Sequence, residues 1–192
     1  VNADRGATLV DVLMTVSVMA VLAALSAPMI ASAVDSGRAR HAAGFVATRF
    51  RQARAHAAAT TATTAVLFDR AGDRWTFRIC EDRNGNGLRR AEIDAGPDVC
   101  VDGPHDLSAQ FPGVQIAVDA TLRGPDGEPG SADPVRFGRG DIASFSPAGT
   151  CSAGSLLLRS RGAAQYMVRV AGVTGRARIL KYDRAANVWR DG

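Results

Sequence analysis

Residues 12–34 read VLMTVSVMAVLAALSAPMIASAV, a run without a single charged side chain. As a helix rising about 1.5 Å per residue, this run is about 35 Å long, enough to cross the hydrocarbon core of a bilayer. Ala, Leu and Met favour that helix, and the valines cost it little. Pro28 removes one backbone donor and is expected to kink or loosen the helix there, a defect that membrane helices tolerate better than soluble ones. Just ahead of the run stands Arg5-Gly6-Ala7-Thr8-Leu9-Val10-Asp11, with one basic and one acidic group. Three readings compete for this region. One is a plain transmembrane anchor. The second is a secretory signal peptide, with Arg5 as a thin basic region, residues 9–25 as the apolar core and Ala31-Ser32-Ala33 as an A-x-A cleavage site. The third is a segment cut on the cytoplasmic side that keeps its apolar helix in the mature protein.

The residues favour the third reading. A glycine before the cut, a short apolar stretch with Thr-Leu, an acid at the fifth mature position and then a long apolar run resembles the type IV prepilin signature. The resemblance implies that a prepilin peptidase cuts between Gly6 and Ala7 and that the new N-terminus is methylated. It also implies that Asp11 pairs with the free α-amino group of a neighbouring subunit. A carboxylate at the edge of a membrane helix is costly without such a partner. Pro28 falls where members of this family commonly carry a helix-bending proline. The family usually has Glu where this chain has Asp11, and Phe where it has Ala7.

Outward from the span, residues 35–64 continue as an amphipathic helix. Ala42, Phe45 and Val46, Phe50, Ala53 and Ala57 recur at spacings of three and four, while Arg38, Arg40, Arg49, Arg51 and Arg54 fill much of the remainder. The threonine-rich run at 60–64 is expected to end it. Residues 65–192 then read as a β-rich domain. Short strands are expected at 65–68, 75–80, 114–118, 142–145, 155–158, 166–170 and 176–182, separated by clusters of Gly, Pro and Asp. One long helix followed by six or seven strands predicts an α+β domain with antiparallel sheet.

The order of segments resembles the minor pilin and pseudopilin branch called FimT/GspH. The resemblance rests on the N-terminal segment, on Arg51-Gln52-Ala53-Arg54-Ala55, on Phe145-Ser146-Pro147-Ala148-Gly149-Thr150 and on Gly175-Arg176-Ala177-Arg178. It implies a pilin fold with a leader at 1–6, a membrane and filament-core helix at 7–34, an amphipathic extension at 35–64 and a periplasmic domain at 65–192. It implies a single-pass protein of the bacterial inner membrane. Such a protein assembles with other pilin subunits into, or initiates, a type IV pilus or a type II secretion pseudopilus. An alternative within the family is a DNA-binding minor pilin for DNA uptake. A soluble periplasmic binding module is the alternative outside it.

Composition sets the remaining bounds. The chain has 192 residues, 46% apolar and 22% charged, which is globular rather than disordered. Of 23 basic residues only Lys181 is lysine, a bias that reads as genomic base composition rather than as nucleic-acid binding. Charge is uneven: −6 over residues 66–134 and +7 over residues 135–192. The simplest reading is a mixed, charge-matched surface; the sharper one is a basic C-terminal segment that attracts an anion. Arg176 and Arg178, two apart on a strand, share one face about 7 Å apart, and with Lys181 form the candidate DNA contact. Asp82-Arg83-Asn84-Gly85-Asn86-Gly87 opens like a calcium loop, with oxygen donors at alternate positions and glycine at the sixth. The twelfth position is Ile93, flanked by Glu92 and Asp94, so a site would use Asp82, Asn84, Asn86 and Glu92 or Asp94 in a looser register. The competing reading is a tight Asn-Gly turn without metal.

Three cysteines permit one disulfide. Cys80–Cys100, which closes a short polar loop, is the favoured pairing; Cys100–Cys151 and Cys80–Cys151 remain open. A disulfide suits a domain facing an oxidising compartment. The three histidines, His41, His56 and His105, form no Ser-His-Asp, HExxH or phosphate-loop pattern, so no catalytic centre is expected. The acidic residues Asp98, Asp102 and Asp106 read as solvated loop charges.

Overall fold

A computed structural model describes residues 8–192. Helix α1 (Leu9–Thr60) runs for 52 residues without a break, including through Pro28. At about 1.5 Å per residue it is about 78 Å long. Its two halves have different surroundings. The first half stands clear of the rest of the chain, with every large apolar side chain exposed, Leu9 at 77% and Met29 at 75%. The second half buries Ala39, Ala42, Ala43, Val46, Ala47, Phe50, Ala53 and Ala57. The small alanines let the helix backbone lie close to the sheets, and Phe50 is the largest fully buried side chain on that face. Phe45, expected in the same stripe, is half-buried and packs its ring against Phe77, His105 and Phe111. The helix stops at Thr60, and Thr61 adopts a left-handed conformation (φ 53°), within the expected threonine run.

Two antiparallel sheets cover this half of the helix. The first has the order β3-β2-β1-β6, built from β1 (Thr64–Ala71), β2 (Arg74–Glu81), β3 (Val99–Asp106) and β6 (Ile142–Phe145). The second has the order β10-β9-β8-β7-β4, with β5 also paired to β7. Its members are β4 (Val114–Ile116), β5 (Val135–Arg136), β7 (Gly154–Ser160), β8 (Gln165–Val170), β9 (Ala177–Asp183) and β10 (Val188–Asp191). Two short helices, α2 (Arg90–Ala95) and α3 (Leu107–Gln110), flank β3 in the chain. The α+β class and the antiparallel pairing are as the sequence predicts.

The core lies between α1 and the inner sheet faces. Phe50 meets Phe68, Phe137 and Phe145 with ring centroids 6.3, 5.6 and 6.1 Å away. Val66, Leu156, Leu158, Val168 and Val170 complete the wall. The second sheet also has a buried outer face. Leu157 and Met167 lie outside the core cluster that includes the α1 face yet are 1% exposed, and the segment 117–134 joins this sheet beside them, the Pro134 carbonyl accepting the Leu157 amide at 2.8 Å. That segment is fastened by Trp189 Nε1 donating to the Arg123 carbonyl at 2.8 Å and by Arg169 pairing with Asp126 at 2.6 Å. The acidic middle of the chain and its basic end therefore neutralise each other in part.

The described residues form ten strands where six or seven were expected, seven of them at the expected places. The additional ones are β3, β5 and β10. In β3, Gly103-Pro104 and three charged or titratable neighbours give a loop-like composition; pairing to β2 holds the strand anyway. The expectation that Asp98, Asp102 and Asp106 are solvated is corrected. Asp98 is 3% exposed, Asp102 pairs with Arg49 at 2.8 Å, and Asp106 accepts the Ser108 amide and hydroxyl at 2.8 and 2.6 Å.

Candidate functional site

The free half of α1 is the largest unsatisfied apolar surface among the described residues. None of its most apolar stretch is buried against the rest of the chain. It is one helix long and apolar enough to cross a membrane. The expected cleavage position between Gly6 and Ala7 lies outside the described residues. Asp11 is described, and its contacts are local. Its carboxylate accepts the Thr8 amide at 3.0 Å and the Thr8 hydroxyl at 2.7 Å, while Thr8 Oγ1 accepts the Asp11 amide at 3.3 Å. This is a capping box, which satisfies two donors at the helix start. An acid here thus has an intramolecular reason to exist, which the reading of the sequence missed although Thr8-x-x-Asp11 carries that signal.

Where the free half meets the domain, Asp35 accepts the Gly162 amide and the Ser36 hydroxyl lies 3.1 Å from the Tyr166 hydroxyl. Pro28, Met29 and Ser32 border a groove whose other wall is Lys181, Arg184 and Arg190.

The three phrases that carry the FimT/GspH resemblance within the domain meet in space. A Cβ at Gly175 would stand 3.0 Å from Arg54 Cδ and 3.2 Å from the Gly149 carbonyl oxygen. Gly175 also has φ +63°, where L side chains are strained. The glycine of Gly-Arg-x-Arg therefore lets the β8–β9 turn close onto the helix end and the Ser-Pro-Ala-Gly turn. The cations of the candidate DNA contact do not form one patch. Arg178 donates to both oxygens of Asp191 at 3.0 Å. Lys181, three residues on, falls on the opposite face of β9, with its ammonium 5.9 Å from the Tyr166 ring. Arg176 precedes the strand and is exposed. Tyr166 and Tyr182 are 2% and 5% exposed, so neither ring is free to stack on a base.

Cys80 and Cys100 form a disulfide across paired positions of β2 and β3, and Cys151 remains a thiol. Beyond the bridge, the Asp82 carboxylate accepts the Gly85 and Gly87 amides at 2.7 and 2.8 Å. The side-chain amides of Asn84 and Asn86 donate to the two oxygens of Glu92 at 3.0 and 3.1 Å. Asp94, the alternative donor, is exposed and does not share these bonds. No group of three His, Cys, Asp or Glu is arranged as a metal cluster among the described residues.

A charged cluster sits between α1 and β3. Arg49 bonds Asp102 and stacks 4.8 Å from the Phe45 ring; His105 Nε2 lies 3.1 Å from the same carboxylate. Burial alone would raise the Asp102 carboxyl, but His105, Arg49 and the Gly103 amide outweigh it and hold it below its ordinary range. A lowered native pKa contributes stability above the unfolded value, and that contribution is lost as pH falls through the folded value. Wild-type protein should therefore lose more stability than Asp102→Asn between pH 7 and pH values below about 4. Denaturant unfolding at pH 7, 5 and 3 measures the difference.

No protein-family model, curated protein or solved structure matches the chain.

Proposed function

We propose that this chain is a minor pilin or pseudopilin of the FimT/GspH branch, anchored in the bacterial inner membrane with its β domain in the periplasm. It packs by the free half of α1 into, or at the start of, a type IV pilus or secretion pseudopilus. The observation that carries this reading is the two-part helix. A single element of 52 residues is bare and apolar over its first half and forms the core of an antiparallel domain over its second. In water the bare half is untenable; a bilayer, or a bundle of like helices, removes that apolar surface from water. The acid sits at the outer tip of this half, where the prepilin resemblance wants it. The Ala31-Ser32-Ala33 stretch lies in mid-helix between Pro28 and the Asp35 contact. The convergence of the three family-like phrases on Arg54 supports the branch, since it gives each of them one shared packing role.

Mass measurement of the mature chain, made in cells that contain a prepilin peptidase, is the test. A protein that begins at Ala7, carries an added methyl group and keeps its membrane helix is the expected result. A mature chain that begins at Val34 and fractionates with soluble periplasmic protein would overturn the proposal and leave the binding-module reading.

A further inference from the structure

The uncharged run of α1 ends at Val34, and one residue later Asp35 accepts the Gly162 amide of the turn between β7 and β8. A hydrocarbon core of about 30 Å takes about 20 residues of helix. Counted from Val12, these are residues 12–31, so the headgroup layer on the domain side begins near Ser32. Two clefts open at this level, and they share Ser32 and Gly162. The larger, about 980 Å³, has Pro28, Met29 and Ala33 on the helix side and Lys181, Arg184 and Arg190 on the domain side. The smaller is lined by Ala31 and Val34 with Arg38 and Arg161.

The carboxylates of these clefts are engaged. Asp183 pairs with Arg190 at 3.2 Å and accepts the Ala185 and Ala186 amides. Asp191 pairs with Arg178, which lies outside the cleft, at 3.0 Å. Asp35 is bonded to Gly162. Four cations are left over. Lys181, Arg184, Arg38 and Arg161 are exposed, and none has a carboxylate within ion-pair distance among the described residues. Two of them are tied to the place where the helix meets the domain. Arg184 donates to the Ala163 carbonyl at 2.9 Å. The Lys181 ammonium stands 5.9 Å from the ring of Tyr166, whose hydroxyl is 3.1 Å from that of Ser36 on α1. The larger cleft thus sets cations opposite an apolar helix wall at the edge of the hydrocarbon layer, and juxtamembrane cations of this kind attract anionic headgroups.

We infer that the larger cleft binds an anionic phospholipid, with the phosphate on Lys181 and Arg184 and the start of an acyl chain along Pro28, Met29 and Ala33. Arg38 and Arg161 add to the positive field from the adjoining cleft. Inorganic phosphate would use the cations and leave the apolar wall bare. A zwitterionic lipid would bring its own cation to a cationic wall. Such a lipid would seat the β domain on the membrane surface. The inference rests on the membrane-anchored reading of α1 and not on filament assembly.

The test uses the full chain in detergent micelles doped with equal amounts of phosphatidylglycerol and phosphatidylcholine carrying the same acyl chains. Lipids retained per chain are counted by mass spectrometry. About one phosphatidylglycerol per chain is expected. Its enrichment over phosphatidylcholine should be at least about tenfold, since each unpaired cation near a membrane surface contributes about a factor of five. Most of the enrichment should vanish at about 1 M salt, where the Debye length is about 3 Å. The double variant Lys181→Gln, Arg184→Gln should retain the two lipids within about twofold of each other, with an unchanged thermal melt because both side chains are exposed. Arg139→Gln, an exposed arginine of the β5–β6 connection, should retain them as wild type does. Equal retention of the two lipids by wild type, or enrichment that survives high salt, overturns the site. So does enrichment unchanged in the double variant, and so does displacement of the lipid by inorganic phosphate or glycerol phosphate. A mature chain that begins at Val34 would overturn this inference together with the anchor reading; an anchored chain without lipid preference overturns this inference alone.

Discussion

Phe50→Ala is expected to destabilise the β domain by about 3–5 kcal/mol. The ring is fully buried and is the largest of the fully buried side chains on an otherwise alanine-rich helix face. Three phenylalanines, from β1, the segment after β5 and β6, converge on it within about 6 Å, the range in which tilted and edge-on ring pairs are favourable. Removal leaves a cavity among these three rings, and the neighbouring alanines cannot fill it. Phe50→Leu keeps much of the volume and should cost far less, about 1–1.5 kcal/mol. Denaturant unfolding in micelles, followed by tryptophan fluorescence, gives both numbers. The amount of protein in the membrane fraction should not change with either substitution, because the span is independent of this contact. A loss below about 1 kcal/mol for Phe50→Ala would mean that the helix is not the spine of the domain.

That both halves of α1 are legible follows from physics that acts locally. Twenty-three uncharged residues need no partner to declare their preference, and alanines at spacings of three and four declare a buried face. Strands such as Ile142–Phe145 are legible for the same reason. What escapes is what tertiary contact decides. Strand β3 contains Gly103-Pro104 and reads as a loop; only β2 makes it a strand. Asp98 reads as a surface charge because nothing adjacent to it in sequence shows that β2 and the 82–87 turn will cover it. Two misses had a signal available. The spacing Thr8-x-x-Asp11 is that of a capping box. The offset of three between Arg178 and Lys181 puts them on opposite faces of any strand, so one patch could not have held both.

Asp11→Asn is expected to leave the monomer nearly intact and to reduce incorporation into a filament at least thirtyfold. Two roles meet in this side chain. The local one is the capping box, worth about 0.5–2 kcal/mol to the helix start. Asparagine keeps an oxygen that can accept from the Thr8 amide and hydroxyl, so most of the cap survives. The proposed intermolecular role is a charge pair with the α-amino group of a neighbouring subunit, formed where water is scarce. Truncating one partner of a desolvated pair of this kind costs about 2–5 kcal/mol, and each 1.4 kcal/mol is about a factor of ten. Thr8→Ala is the converse variant. It removes the hydroxyl that caps the helix and leaves the charge, so it should weaken assembly only a few-fold. Asp11→Glu, which restores the length usual in the family, should assemble at least as well as wild type. The measurement is the fraction of each variant recovered in sheared filaments, normalised to its amount in the inner membrane. Wild-type incorporation of Asp11→Asn would assign the acid to the cap alone. Equal losses in Asp11→Asn and Thr8→Ala would lead to the same conclusion, because the shared cause would then be the helix start rather than the charge.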